Sequence, residues 1–126
     1  MVNLEKLKEL SQAKKFGKNA SIIKEGAKEP FSMFIVLHGE VGIVKNYGSP
    51  AQKIVNKLGP GDFFGEMSLF LLQPRSATVI ALTDCICLEI NQLDSYSILE
   101  KNIDLLFYIL KALCKRIDHL NSKVPM

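Results

Sequence analysis

The sequence predicts a mainly β protein with flanking α-helices, its strands forming a sandwich or barrel. Two observations carry that prediction. The runs "SIIKEG", "MFIVLHG", "EVGIVKN", "QKIVNKLG", "RSATVIALT" and "CICLEI" are short, β-rich and bounded by glycine, proline, asparagine or aspartate, and many such strands in series build all-β architectures. The two ends have a different texture, with apolar residues at helical spacing among charges. A length of 126 residues and a hydrophobic content of 48% suit a single domain, 1–126, with a core of its own.

In chain order, Leu4, Leu7, Leu10 and Ala13 recur among lysines and glutamates, so a short amphipathic helix is expected from Asn3 to about Phe16, within an N-terminal segment 1–18. The β-rich unit follows over 19–91. Inside it, Gly59 and Gly61 flank Pro60 in a turn, and "DFF" is short enough for a strand end or a bridging segment. After Gly65, "EMSLFLL" holds good helix formers until Pro74, which blocks continuation and biases Gln73 away from helical angles. A helix of about two turns is therefore expected between strands. The segment 92–126 reads as helical again, with a short helix near Gln92 to Glu100 and a longer one from Asn102, whose side chain suits capping of first-turn amides. On the longer helix Ile103, Leu106, Leu110, Leu113, Ile117 and Leu120 draw an apolar stripe. It fits packing on the chain's own β layer, a dimer seam or a hinged lid.

Composition narrows the function. No apolar run approaches the ~20 residues that span a bilayer, and "MVNLEKLKEL" lacks the apolar centre of a signal peptide, so a cytoplasmic protein without membrane contact in this segment is expected. Cys85, Cys87 and Cys114 are odd in number and lack CxxC spacing, which suits small buried residues rather than disulfides or zinc. The net charge is +3 and the fourteen lysines are scattered, with no basic run interleaved with aromatics, so nucleic acid is not an expected partner. His38 and His119 have no companion ligands near them in sequence, and no metal is expected. Asp62, Glu66, Ser68 and Ser76 have no histidine close in sequence to activate them, so no enzyme is expected.

The stretch "GDFFGEMSLFLLQPRSATV", Gly61 to Val79, carries two charges that an apolar segment does not need, Glu66 and Arg75. The start of the short helix leaves amide donors unpaired, a setting for a phosphate. Arg75 is one of only two arginines, with Arg116, and its fork can take two phosphate oxygens at once. Glu66 suits a neutral hydroxyl, which it accepts as a charge-assisted hydrogen bond. A singly charged phosphate fused to a ribose with a free 2′-hydroxyl satisfies both groups. On residue type and spacing alone, Glu66 could equally serve the helix dipole, and Arg75 could pair with Glu66 or Asp62.

"FGEMSLFLLQPRSATV" closely resembles the phosphate-binding cassette of cyclic nucleotide-binding domains, and "IIKEG", "FIVLHGEVGIV", "LGPGDFFGEMS" and "TDCICLEI" resemble that family's successive strands in order. The resemblance implies an eight-stranded jelly-roll β-barrel with a short N-terminal helix, a short cassette helix within 65–77 and C-terminal helices. It implies that Glu66 accepts the ribose hydroxyl, Arg75 grips the cyclic phosphate, the backbone amides of Met67, Ser68, Ser76 and Ala77 lie near it, and Gly65 lets the backbone approach the sugar. Ser76 stands where family members carry alanine, serine or threonine, and its hydroxyl can reach a guanine's exocyclic amine. That keeps cyclic GMP a candidate, while cyclic AMP is the first expectation, with no further cofactor. The segment Asn102 to Asn121 resembles the family's C-terminal helix, a lid over the base in many members; among Lys111, Lys115, Arg116 and His119, the candidate lid residues are Arg116 and Lys115.

The implied function is a non-catalytic regulatory sensor that moves its C-terminal helices toward an unknown effector, with a homodimer through the C-terminal helix as a further partner. No helix-turn-helix, channel segment or kinase motif is visible in the chain. The loop "GAKEPFSMF" departs from the family's usual glycine and aspartate, carrying Pro30 and Phe31. That departure supports the alternative of a nucleotide-independent dimerisation domain with a degenerate pocket. Glu66 and Arg75 speak against it, since buried charges without a ligand are costly.

Overall fold

The computed structural model describes residues 12–122. Eight strands run in the order β1 (Gln12–Phe16), β2 (Ser21–Ile23), β3 (Ser32–His38), β4 (Val41–Lys45), β5 (Lys53–Leu58), β6 (Phe63–Phe64), β7 (Thr78–Ala81) and β8 (Cys85–Asn91). The helix α1 (Glu66–Leu71) lies between β6 and β7, and α2 (Gln92–Lys101) and α3 (Ile103–Asn121) follow β8. The strands form two antiparallel sheets, ordered β1-β8-β3-β6 and β2-β7-β4-β5. This alternation of the chain between sheets is the jelly-roll pattern. The sheets do not close on each other, so the expected barrel is a two-sheet sandwich with open edges.

Period-two alternation builds the core. From the first sheet Phe34, Val36, Phe64, Cys85 and Cys87 meet Val41, Val79 and Ala81 of the second. The residues between them, Met33, Ile35, Phe63, Leu88 and Ile90, point the other way and are covered by Leu69 of α1, Ile98 and Leu99 of α2, and Leu105 and Ile109 of α3. Covered on both faces, β3 is buried from Ser32 through Val36. Truncating a side chain such as Ile109 to alanine in this layer costs ~2–5 kcal/mol.

Four expectations change. Residues 12–16 are not the end of an N-terminal helix: they pair with β8 from Gln12↔Glu89 to Phe16↔Cys85, and Phe16 meets Phe34 edge-on at 6.2 Å. The sheet edge and this aromatic contact override a local helical spacing; the remainder of that expected helix lies outside the described residues. Asn102 does not cap α3 with its side chain, because Nδ2 donates to the Ile98 carbonyl at 2.8 Å and closes α2 instead. Asn91 is the side-chain cap, accepting from the Asp94 amide at the start of α2. The apolar stripe of α3 is not its packed face: Leu105 and Ile109 are buried, with Leu106, Ala112 and Leu113 partly so, while Ile103, Phe107, Leu110, Ile117 and Leu120 are exposed. Cys114 is exposed, unlike buried Cys85 and Cys87, because nine residues past Leu105 it falls on the opposite side of the helix.

Candidate functional site

Between β6 and β7 the chain turns through Gly65, at φ 83, before α1 begins at Glu66. That position needs glycine twice over. The left-handed backbone disfavours a side chain, and an added Cβ would lie 2.8 Å from Arg75 Nη1 and 3.0 Å from the Ser32 carbonyl. The crowding at Gly65 thus comes from the protein itself. The helix ends as Pro74 requires: Leu72 is left-handed, its amide donates to the Ser68 carbonyl, and buried Ser68 donates its hydroxyl to the Gln73 carbonyl at 2.7 Å. The returning chain then enters β7 through Arg75, Ser76 and Ala77.

These two flanks face one cavity of about 300 Å³. Gly65, Glu66, Met67 and Ser68 line it from the first flank, and Arg75, Ser76 and Ala77 from the second. Its floor is apolar. Ile23, Val79 and Ile43 form a row across β2, β7 and β4, continued by Asn56 on β5, and Phe63 and Leu58 close the sides. The volume is at the lower end of the range for small-molecule pockets.

Arg75 is buried, 4% exposed, with its terminal nitrogens engaged by the protein. Nη1 donates to the carbonyls of Ser32 at 2.5 Å and Gly65 at 3.3 Å, and Nη2 to the Pro30 carbonyl and the Ser32 hydroxyl, both at 2.9 Å. Ser32 in turn donates to Glu89 at 2.8 Å, and Lys14 forms an ion pair with the same carboxylate. Burial pulls the Arg75 pKa below its ordinary value, while the Glu89 carboxylate pulls it back up; an arginine remains charged regardless. The divergent loop is clamped to the same residue through its main chain, with the Gly26 amide donating to the Arg75 carbonyl and the Arg75 amide to the Ala27 carbonyl.

Glu66 has a partner fifty positions along the chain. Arg116 Nη1 donates to its Oε1 at 2.5 Å, and the Arg116 guanidinium lies 4.8 Å from the Phe63 ring centre. Arg116 reaches over because it continues the packed face of α3, seven residues after Ile109. Tyr108 fixes the same helix to the turn before β6 by donating to the Gly61 carbonyl. Burial and the nearby Asp62 carboxylate both push the Tyr108 hydroxyl pKa up. Of the two candidate lid residues, Arg116 lines the cavity, whereas Lys115 is exposed and does not. Among the described residues no group of three histidine, cysteine, aspartate or glutamate side chains is placed to hold a metal ion.

Asn56 and the apolar floor escaped sequence reasoning. Their signal is in the strand register: Ile43 faces Asn56 but Val44 faces Ile54, so the strand bulges at Val55 and re-aims the next side chain.

The strand order, the helix inserted between β6 and β7, and the cavity beneath it define a jelly-roll ligand-binding domain. The chain belongs to the cyclic nucleotide-binding domain family, whose model matches residues 13–102. It is 28% identical over 111 residues to the cAMP-activated global transcriptional regulator CRP of Salmonella typhimurium, covering 87% of this chain and 52% of that protein. It is 35% identical over 82 residues to the cAMP-dependent protein kinase regulatory subunit of Candida albicans, covering 65% of this chain and 17% of that one. The catabolite activator protein of Thermus thermophilus superposes with a TM-score of 0.81 at 21% identity, over 95% of this chain and 56% of that structure. The chain thus spans about half the length of the CRP relative it matches. Among the described residues no helix is long and apolar enough to cross a membrane.

Proposed function

We propose that the chain is a non-catalytic regulatory module that binds a 3′,5′-cyclic nucleotide, cyclic AMP before cyclic GMP, and passes occupancy to α3 and an effector. The observation that carries this reading is the convergence of Glu66, Arg75 and the 67–68 and 76–77 backbone on one ligand-sized cavity that Arg116 of α3 also lines. Adenine is put first on the relatives, whose names specify cAMP. The phosphate sits near Arg75 and the amides, and the ribose hydroxyl at Glu66. Binding is an exchange of partners: the phosphate competes with the Pro30 and Ser32 oxygens for Arg75, and the ribose competes with Arg116 for Glu66. The second exchange couples occupancy to α3, because a ligand shifts a helix equilibrium only by its differential affinity for the two arrangements. Three free cysteines suit a reducing, cytoplasmic setting. Isothermal titration with cyclic AMP and cyclic GMP tests the reading: saturable binding to one of them is expected, and no heat and no thermal shift with either overturns it.

The second reading, a dimerisation domain without nucleotide, is favoured by the exposed Ile103, Phe107, Leu110 and Ile117. Glu66 and Arg75 do not oppose it as charge alone suggests, since both have protein partners. Concentration-dependent mass in sedimentation, unaffected by nucleotide, is its expected signature.

A further inference from the structure

We propose that the chain carries a second small-molecule site, at the open seam between β1 and β2, and that this site takes a small aromatic carboxylate. A second cavity, of about 350 Å³, lies there. Among the described residues its lining has Ile23 and Arg75 in common with the first cavity, so these two side chains stand between them. β1 and β2 are the outer strands of their sheets and do not pair with each other. In a sandwich such a seam is filled by apolar side chains, but here the inner face of the first sheet turns polar at one end. Along β8 the inward positions run Cys85, Cys87 and then Glu89, and on β1 Lys14 shares the side of Phe16 and pairs with Glu89. Ala27, Glu29 and Pro30, from the loop that departs from the family pattern, line the same cavity.

The two ends of the cavity set the ligand's chemistry. At the apolar end Phe16 meets Phe34 edge-on at 6.2 Å, and Ile22 and Ile23 stay half-buried, a wall suited to an aromatic ring. At the polar end stand Lys14, Arg75 and Glu89, two cations against one carboxylate. Arg75 is 4% exposed and the Glu89 side chain 11%, so the excess positive charge is poorly screened by water. One negative head group balances it. The Arg75 terminal nitrogens are already engaged by Pro30, Ser32 and Gly65, so Lys14 is the group that meets the ligand. Its ammonium has three donors, of which the Glu89 pair uses one, and the side chain is half-exposed. Lys24 and Glu29, also in the lining, offset each other. A volume at the lower end of the small-molecule range limits the body to about one ring and a short chain. An alcohol would leave the charge unbalanced, and an amine would face two like charges.

The test titrates the wild-type chain with 3-phenylpropionate, 3-phenylpropanol and 3-phenylpropylamine, three probes with one body and different heads, and follows backbone amide signals by NMR. The acid is expected to saturate with a Kd on the order of 0.1–1 mM and to bind about tenfold or more tighter than the alcohol or the amine. Its shifts should centre on residues 14–16 and 21–24 rather than on 65–68 and 76–77. Lys14→Gln, with a melting curve to verify folding, is expected to weaken the acid about tenfold and the alcohol less than twofold; a loss common to both, or to neither, overturns the assignment. The wild-type series decides by itself if that variant does not fold. No saturation by the acid up to about 10 mM, equal affinity for the three heads, or shifts centred on the first cavity or on the exposed side of α3 overturn the proposal, whether or not the chain binds a cyclic nucleotide.

Discussion

Replacing Arg75 by alanine separates a ligand group from a structural clamp. If the guanidinium served a phosphate alone, its removal in nucleotide-free buffer would relieve a buried charge, and stability would hold or rise. The structure gives the opposite expectation. Arg75 supplies four hydrogen bonds, to the carbonyls of Pro30, Ser32 and Gly65 and the Ser32 hydroxyl, and it is 4% exposed. Alanine strands these acceptors and removes a buried cation near Glu89, whose ion pair with Lys14 remains. Stranded partners of a buried charge typically cost ~3–5 kcal/mol together, a large part of the ~5–15 kcal/mol that holds a domain folded. For a chain of this size that lowers the melting temperature by roughly 10–20 °C. Urea unfolding of Arg75→Ala without nucleotide is the assay, and an unchanged or raised midpoint refutes the clamp. At temperatures where the variant stays folded, nucleotide affinity should also fall by roughly thirtyfold or more, about 2 kcal/mol.

Three further outcomes are expected. Gly65→Ala should lose about 1–2 kcal/mol for its left-handed backbone, and more because its Cβ meets Arg75 and the Ser32 carbonyl; urea melts read this directly. Arg116→Ala removes a half-exposed ion pair, so stability should change by less than ~1 kcal/mol, whereas titration should show nucleotide affinity rising severalfold as Glu66 is freed for the ribose. Burial pushes the Cys87 thiol up to about 12, with Cys85 adding to the effect. The folded state therefore holds that proton longer than the unfolded chain, and stability is lost as pH climbs from the ordinary thiol range, ~8.5, toward 12. Cys87→Ala should flatten that alkaline slope in pH-dependent melts, and a thiol reagent at pH 8 should label Cys114 alone in the folded protein.

Much of the β architecture was written locally. Alternation in "MFIVLH" and "CICLEI" follows directly from which side of a strand each residue occupies, and Gly65, the helix after it and its stop at Pro74 follow from backbone sterics. The two flanks of the cavity, 65–68 and 75–77, were legible for the same reason, as residues close in sequence with distinctive chemistry. Less legible were partnerships between distant segments. Sequence left Arg75 between a phosphate and an ion pair with Glu66 or Asp62; in the fold the loop through Pro30 and Ser32 meets its guanidinium, and α3 brings Arg116 across to Glu66.

What the sequence alone determined is the succession of strands and helices from Ser21 onward, and the set of residues around Gly65 and Arg75, because these depend on steric rules acting over a few neighbours. Tertiary structure decided that residues 12–16 join a sheet rather than a helix, that the sheets stay open, which face of α3 is packed, and that a bulge aims Asn56 into the cavity. Those outcomes depend on which surfaces meet, and burial between segments far apart in the chain outweighs the small local preferences that a sequence displays.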